Sequence, residues 1–335
     1  AGSCERILHE VTAARDVSLA EDHRQRLRHV IGRRGVMLPV VENELRHSPP
    51  AEVLLGVGST VSSQFFRCKN LLVTTIGRTK NPTARPLCIS TEQRQQIRAA
   101  LQPGDVLLTY TEGYASNLFI PGSFKHAATF VGTDQERRQA GLPPNLLVAL
   151  AGSNRHDLAA VLRQTTTKTG EIADVVESVA EGVQLSNLDR ILSTRINRLV
   201  VLRPQLDPME RAEQVADVMS YVGDEYDFSF DFTDASDQVC TEVVYRSLQG
   251  RGQIDLPLSE HAWRLTLTAD DILRCCIRGE GKQFACILMV DESKESPGNA
   301  KVSSAANAQK GLSKLPGIGS ETKANAPALN SRPAL

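Results

Sequence analysis

The stretch VCTEVVYRSLQG holds a cysteine, Cys240, in surroundings that would suit a nucleophile. Its apolar residues recur at helical spacing, a glycine can end the helix, and Ser236 or Asp237 can cap its start. Cys240 therefore falls in the first turn, where unpaired N–H groups and the positive end of the helix dipole lower the pKa of a thiol and could stabilise an oxyanion. The alternative is a structural cysteine on the apolar face, because free cysteine is among the most buried residue types.

A second residue that could do chemistry is His126, in the short apolar segment SFKHAATFVG. The segment follows a loop that contains Gly and Pro, and its composition is typical of a strand. A lone histidine in a strand is usually a core residue with one backbone hydrogen bond. Beside a thiol, the same side chain could act as a general base. Spacing alone leaves both interpretations open.

Strand and helix patterns surround these two residues. Strands are predicted at DVLLTY, KHAATFVG, ADVVESV, GVQL and NRLVVLRP, and CILMVDES is the last segment that looks buried. A capped helix begins at Ser90 or Thr91, SNLDRIL is a short helix, and LDPMERAEQVADVMSYVG is a longer one, with Asp207 as its N-cap and Pro208 at its first position. No element is assigned to the polar, proline-containing stretch at residues 133–171.

The chain divides into three parts by pattern and composition. Residues 1–95 are predicted to be a helical accessory or dimerisation region, in which Ser18 and Glu21 form a capping-box pattern. Residues 292–335 are rich in Ser, Ala, Lys, Asn, Gly and Pro, and are predicted to be a disordered tail because they cannot bury enough apolar surface to offset the entropy of ordering. The chemistry is expected between them, in residues 96–291.

Composition excludes several classes of function. The 335 residues are 41% hydrophobic and 23% charged, as in an ordinary soluble globular protein. A net charge of −1 and only 4% aromatic residues give no reason to expect a nucleic-acid partner. No apolar run reaches the roughly 18 residues of a membrane-spanning helix. The oligomeric state is left open.

The seven cysteines form no CxxC pair and no Cys/His cluster, so no metal site is predicted. An odd number of scattered cysteines is typical of free thiols in a reducing compartment. Small residues before Cys4 resemble a lipoprotein processing site, but the sequence has no apolar segment ahead of them. We therefore expect a cytoplasmic protein, and keep an envelope lipoprotein anchored at Cys4 as the alternative.

Four motifs in one order carry a family resemblance. The segments LQPGDVLLTYTEGYASNLFIPGSFKHAATFVG, ADVVESVAEGVQLSNLDRIL, YDFSFDF and VCTEVVYRSL resemble the YiiX/YebB-like cysteine hydrolases. These are circularly permuted relatives of the NlpC peptidases on a papain-like fold, and lecithin–retinol acyltransferase belongs to the same permuted group. The resemblance covers residues 96–291. It implies an α+β fold in which an antiparallel sheet packs on the helix that bears the nucleophile, with a helical N-terminal extension outside it.

The resemblance also implies a catalytic set. The family's nucleophile falls on Cys240, its histidine on His126, and the acidic residue that orients the histidine on Glu177. Such a set transfers acyl groups through an acyl-thioester and needs no metal or organic cofactor. The implied activity is hydrolysis or acyl transfer on an amide or ester bond. The alternative class is a catalytically idle binding or scaffold protein whose helical N-terminal region contacts the partner.

Residues near the motifs suggest substrate contacts. The residue before the cysteine is Val239, where the family often has a tyrosine that shapes the oxyanion site, and Thr241 follows where serine is usual. Tyr226 is the expected replacement for the tyrosine. Phe119 and Phe124 lie in an apolar loop that suits an acyl chain, a peripheral membrane contact or a packed lid. The substrate is therefore expected to be a peptide, such as a cell-wall peptide, or a lipid acyl group.

Overall fold

The structure is a computed structural model that describes residues 85–112, 122–151, 158–179, 181–224, 240–261, 264–279 and 281–312, together with residues 315 and 318. Its strands are β1 (Asp105–Tyr110), β2 (His126–Phe130), β3 (Val175–Val179), β4 (Gly182–Ser186), β5 (Arg198–Pro204), β6 (Ser259–His261), β7 (Arg264–Thr266), β8 (Phe284–Glu292) and β9 (Ala300–Ser304). Its helices are α1 (Thr91–Ala100), α2 (Asp134–Gln139), α3 (Pro144–Leu150), α4 (Leu158–Arg163), α5 (Leu188–Thr194), α6 (Pro208–Ser220), α7 (Cys240–Leu248), α8 (Ala269–Arg278) and α9 (Ala305–Leu312).

Seven strands form one sheet in the order β4-β3-β2-β1-β5-β8-β9, and every neighbouring pair is antiparallel. The hairpin β6-β7 forms a separate two-stranded sheet. Helices and an antiparallel sheet within one folded unit confirm the α+β prediction. The predicted N-terminal helical extension lies almost entirely outside the described residues.

Helices cover both faces of the large sheet. On one face, Ala127 of β2 packs in the same core as Val244 of α7. On the opposite face, its neighbour Ala128 packs with Ile97 of α1 and Leu188 of α5. Successive side chains of a strand point to opposite faces, so a strand covered on both sides needs apolar residues throughout. This explains the continuous apolar runs in DVLLTY and NRLVVLRP.

Capping residues set the helix starts that the sequence predicts. Ser90 accepts a hydrogen bond from the backbone N–H of Gln93 and closes a capping box at the start of α1. Asp207 does the same with Glu210 at the start of α6, where Pro208 occupies the first helical position. Each cap satisfies N–H groups that have no partner within the helix.

The described helices include none that is both long and apolar enough to span a membrane.

The polar stretch at residues 133–171 contains three short helices, α2, α3 and α4, that the sequence pattern does not reveal. Thr133 caps α2, and Leu147 of α3 is completely buried in a core shared with α6. Helices of six or seven residues are too short to show a clear period and are unstable alone. They depend on tertiary packing, which local sequence does not record.

The predicted domain boundaries need correction at both ends. Residues 300–312, assigned to a disordered tail, form β9, which pairs with β8, and α9, which buries Ala308 and Leu312. Backbone pairing needs no apolar side chains, so composition hides an edge strand of this kind. At the other end Leu87 and Ile89 are buried in the core, so the folded unit begins before residue 96.

Candidate active site

Strand pairing brings His126 next to Glu177. In the β2–β3 register, Ala128 lies opposite Glu177, and His126 is two residues before Ala128 on the same strand. His126 is therefore the diagonal neighbour of Glu177 across the pair, within reach of a long side chain. The Nε2 atom of His126 lies 2.9 Å from Oε2 of Glu177.

The third group comes from helix α7, which begins at Cys240 and packs against β2 and β3. The Cys240 side chain is hydrogen-bonded to His126, and the backbone N–H groups of Ala127 and Thr241 donate to its sulfur. Because Nε2 of His126 is occupied by Glu177, Nδ1 is the ring nitrogen left for the thiol. The ring thus connects a carboxylate on one side with a thiol on the other.

The position of His126 in its strand allows this connection. Helix α7 covers the face that carries Ala127, whereas Glu177 lies opposite Ala128, whose side chain points to the other face. His126 is the first residue of β2 and lies at the end of the sheet. From there its ring can contact groups that belong to both faces. A histidine in the middle of the strand could reach only one of them.

Electrostatics in the site favour a thiolate on Cys240. Burial by itself raises the pKa of the thiol, but the charge and hydrogen bond of His126, followed by the two backbone N–H groups, outweigh it and lower the pKa. The reverse holds for His126. Burial lowers the pKa of the imidazole, yet Cys240 and then Glu177 raise it to about 10. The two groups therefore stabilise each other as a thiolate–imidazolium pair.

Glu177 is held from several directions and is only 2% exposed. Its Oε1 accepts hydrogen bonds from Ser186 Oγ at 2.5 Å and from Arg195 Nη2 at 2.7 Å. Arg195 Nη1 lies 3.3 Å from Oε2, the oxygen that faces His126. Burial alone would raise the pKa of this carboxyl, but His126 and Arg195 lower it well below its ordinary range. Glu177 is thus an anion that orients the imidazole.

The partners of Glu177, Ser186 and Arg195, are not predicted from the sequence. Ser186 could have been found, because Gln184 lies opposite Glu177 in the β3–β4 hairpin and Ser186 is two residues further along the same strand. Arg195 follows helix α5, and nothing in its sequence surroundings distinguishes it from other surface arginines. Only the packing of α5 against the sheet brings its guanidinium to the carboxylate.

Three other thiols have the opposite character to Cys240. Burial, the largest cause for each, raises the pKa of Cys275 to about 11, that of Cys276 to about 12 and that of Cys286 to about 11. Each is a free cysteine in an apolar setting. Thiols of this kind are inert packing residues. They provide internal comparisons for the reactivity of Cys240.

The predicted substrate contacts have different outcomes. Phe119, Tyr226 and Val239 lie outside the described residues. Phe124 is described, but its side chain is completely buried in the core that also holds Val244, so the prediction of a substrate contact there is corrected to a packing role. An aromatic ring two residues before a strand is as easily drawn into the core as left in a cleft, and local sequence does not separate the two cases.

A buried carboxylate fixes the loop that leads into β2. Asp270, in the first turn of α8, accepts hydrogen bonds from the backbone N–H groups of Ser123 at 2.7 Å and Phe124 at 2.8 Å. The loop passes so close that a Cβ on Gly122 would lie 2.6 Å from Oδ2 of Asp270. Asp270 therefore sets the path of the chain just before His126.

No metal centre is formed by the part of the chain that the structure describes, since no group of three or more His, Cys, Asp or Glu side chains there is arranged to hold an ion. The chemical groups assembled are a thiol, an imidazole and a carboxylate. Arranged in this order, they can activate the thiol for attack on a carbonyl carbon and can supply a proton to a leaving group.

Comparison with known proteins gives two matches. A family model described as permuted papain-like amidase enzyme, YaeF/YiiX, C92 family, matches residues 100–295. Among solved structures, the chain is similar to the metalloprotein YiiX from Escherichia coli O157:H7, with 15% sequence identity, a TM-score of 0.32, and coverage of 61% of this chain and 97% of that one. Among curated proteins, none matches.

Proposed function

Because the chain belongs to the permuted papain-like amidases of the C92 family, we propose that it cleaves an amide or ester bond by attack of the Cys240 thiol on the carbonyl carbon. The observation that carries this proposal is the placement of His126 between Cys240 and Glu177. A nucleophile, a base and a group that orients the base are the requirements for acyl transfer through a covalent intermediate.

In the first half of the reaction, the Cys240 sulfur forms a bond to the carbonyl carbon, and the electrons of the C=O double bond move to oxygen. The N–H groups at the start of α7 are suited to stabilise that oxyanion. When the carbonyl re-forms, the bond to the leaving nitrogen or oxygen breaks, and His126 gives its proton to the leaving group. An acyl-thioester on Cys240 and a free amine or alcohol result.

In the second half, His126 takes a proton from water as the water oxygen attacks the thioester carbon. The tetrahedral intermediate then expels the Cys240 thiolate, which leaves a carboxylic acid and restores the ion pair. A different acceptor in place of water would make the protein an acyltransferase. General acid–base help of this kind is typically worth about a hundred- to ten-thousandfold in rate.

The proposed substrates are a peptide, including a cell-wall peptide, or a lipid acyl group. Support for a papain-like amidase comes from the family, whose description names amidase activity. Support for a lipid acyl substrate comes from the apolar sequence that leads to His126, including Phe119. A panel of acyl-peptides and acyl-lipids, assayed with wild type and with Cys240→Ala as the inactive control, would separate these two classes.

The proposal is tested most directly by the pH dependence of alkylation. Iodoacetamide labelling, resolved by mass spectrometry of the cysteine-containing peptides, should show Cys240 reacting well below the ordinary thiol pKa of about 8.5. His126→Ala should move that reactivity to higher pH, because the cation that lowers the Cys240 pKa is gone. Cys275 serves as the internal control, since its pKa is raised to about 11.

One outcome would favour the alternative function, a catalytically idle binding or scaffold protein. If Cys240 in the folded protein is labelled no faster than Cys275 at any pH, it carries no activated thiolate. The thiol would then be structural, and the binding or scaffold reading would replace the enzyme.

A further inference from the structure

The carboxylate of Glu177 is used at both of its oxygens, and the two oxygens have different partners. Ser186 and Arg195 Nη2 donate to Oε1, at 2.5 Å and 2.7 Å. His126 Nε2 faces Oε2 at 2.9 Å, with Arg195 Nη1 at the longer distance of 3.3 Å. This pattern fixes the rotation of the carboxylate and leaves one oxygen aimed at the imidazole.

We propose that Arg195 is a positioning residue of this active site, whose guanidinium offsets the charge of the buried Glu177 carboxylate and fixes the oxygen that faces His126. It acts through Glu177, the side chain that its guanidinium binds in the described part of the chain. The inference rests on the proposed function, because it assigns Arg195 a part in setting the pH range over which the thiolate–imidazolium pair exists.

The placement of Arg195 is determined by helix α5. Arg195 is the C-cap residue of that helix, and its backbone N–H donates to the carbonyl of Ile191. Leu188, Ile191 and Leu192 of α5 are buried beneath it, so the helix is anchored on the sheet. A cation at this end of a helix is also favoured by the helix dipole. The backbone that carries the guanidinium is therefore held in place by a helix that packs in the core.

A second arginine shows what a purely structural pair looks like in the same sheet. Arg203 of β5 binds Asp105 of β1 with two hydrogen bonds of 2.8 Å, and Asp105 is as buried as Glu177. Asp105 lies opposite Phe130, at the end of β2 away from His126. Replacing Arg203 should therefore cost stability without changing the site, which makes it a matched control for Arg195.

The expected electrostatic effect has a definite sign. In the described residues, the charged groups that act on one another here are Cys240 of α7, His126 of β2, Glu177 of β3 and Arg195 after α5. A nearby cation favours the deprotonated form of each neighbour. Removing the Arg195 cation should raise the pKa of Cys240 and that of His126. The thiolate–imidazolium pair should therefore exist over a higher pH range, because Cys240 sets the acid limit of that range and His126 sets the alkaline limit.

The test uses the full chain and the pH profile of Cys240 alkylation as its readout. In Arg195→Met, the acid-side midpoint should rise, and below it alkylation should become about tenfold slower for each pH unit of the rise. Arg195→Lys keeps the charge but not the two-pronged contact, so its midpoint should stay near that of wild type while turnover of any substrate falls. Arg203→Met should leave the midpoint unchanged.

Chemical rescue adds a second readout. The Arg195 side chain is 32% exposed, so added methylguanidinium can reach the space left by Arg195→Ala and should return the midpoint toward that of wild type. If Arg195→Met has the wild-type profile, or if Arg203→Met shifts it equally, Arg195 is only structural. If wild-type Cys240 itself shows no low-pH reactivity, the proposed function fails instead, and the two failures are distinguished.

Discussion

At the scale of single residues, the site depends on one buried anion. Glu177 is almost completely enclosed, and a buried carboxylate stays ionised only when cations and hydrogen-bond donors replace the water it has lost. His126, Ser186 and Arg195 supply them. The Glu177 anion raises the pKa of His126, and the positive charge of the resulting imidazolium lowers the pKa of the Cys240 thiol.

Removing the charge of Glu177 should therefore lower the reaction rate while preserving the shape of the side chain. In Glu177→Gln, loss of the anion removes one cause of the raised His126 pKa, so the alkaline limb of the activity profile should move to lower pH. The rate at neutral pH should fall about a hundredfold or more, because the imidazole is no longer held in one orientation. Activity measured against pH on the best substrate of the panel checks both effects.

Ser186→Ala is the matched comparison, since it removes a neutral donor from the same carboxylate. A hydrogen bond to a charged group contributes about 1.5–3 kcal/mol, but Ser186→Ala leaves the charge that acts on His126, so activity should fall less than in Glu177→Gln and the limbs of the profile should stay in place. An unchanged profile in Glu177→Gln would contradict the orienting role of the carboxylate.

At the scale of elements, the loop before β2 and the start of α8 form a support for His126. Asp270 binds two consecutive backbone N–H groups of that loop, and Gly122 lies against its carboxylate with a φ of +105°. Both the φ angle and the close approach favour glycine. The position of His126 is thus fixed by a contact outside the Cys240–His126–Glu177 set.

Adding one methyl group at Gly122 tests this support. Gly122→Ala should destabilise the protein by more than Gly170→Ala, which meets a positive φ of +83° but has nothing within 4 Å of its Cβ. The backbone cost alone is about 1–2 kcal/mol. Gly122→Ala should also slow the labelling of Cys240, because displacing the loop displaces His126.

Thermal unfolding of the two alanine variants, with Cys240 alkylation measured in parallel, gives the comparison. Equal losses of stability in both, with unchanged alkylation, would mean that the contact with Asp270 does not position the base.

Elements also show what sequence can and cannot predict. DVLLTY and NRLVVLRP were predictable because a strand buried on both faces is continuously apolar, and α6 because Asp207 and Pro208 mark its start. Cys240 could be placed at a helix start from local pattern alone. Glu177 needed the family resemblance, because alternation does not tell which face of β3 meets His126. Arg195 could not be found, because its contact depends on how α5 packs.

At the scale of the whole molecule, the fold is completed by a segment whose composition looks unstructured. Strand β9 pairs with β8 at the edge of the sheet, and Leu312 of α9 is buried with Ile318 in the main core. The same core contains Val244 and Leu248 of the helix that begins at Cys240. Leu312 and Ile318 therefore belong to the hydrophobic core that supports the helix beginning at Cys240.

Truncation measures that dependence. A chain that ends at residue 291 lacks β9 and α9, exposes the edge of β8 and opens the core, so it should unfold at lower temperature and tend to aggregate. A chain that ends at residue 320 keeps both elements and Ile318, and should melt close to the full-length protein. Thermal unfolding of the three chains is the measurement, and equal melting temperatures would contradict a structural role for residues 292–318.

The order of the three reactive groups along the chain has a consequence during biosynthesis. His126 and Glu177 precede Cys240, and the central strands β1 to β5 all precede α7. A ribosome therefore synthesises His126 and Glu177 before Cys240. The thiolate–imidazolium pair cannot form on a nascent chain until α7 has emerged, so the chain gains an activated Cys240 thiolate only when that helix docks on the sheet.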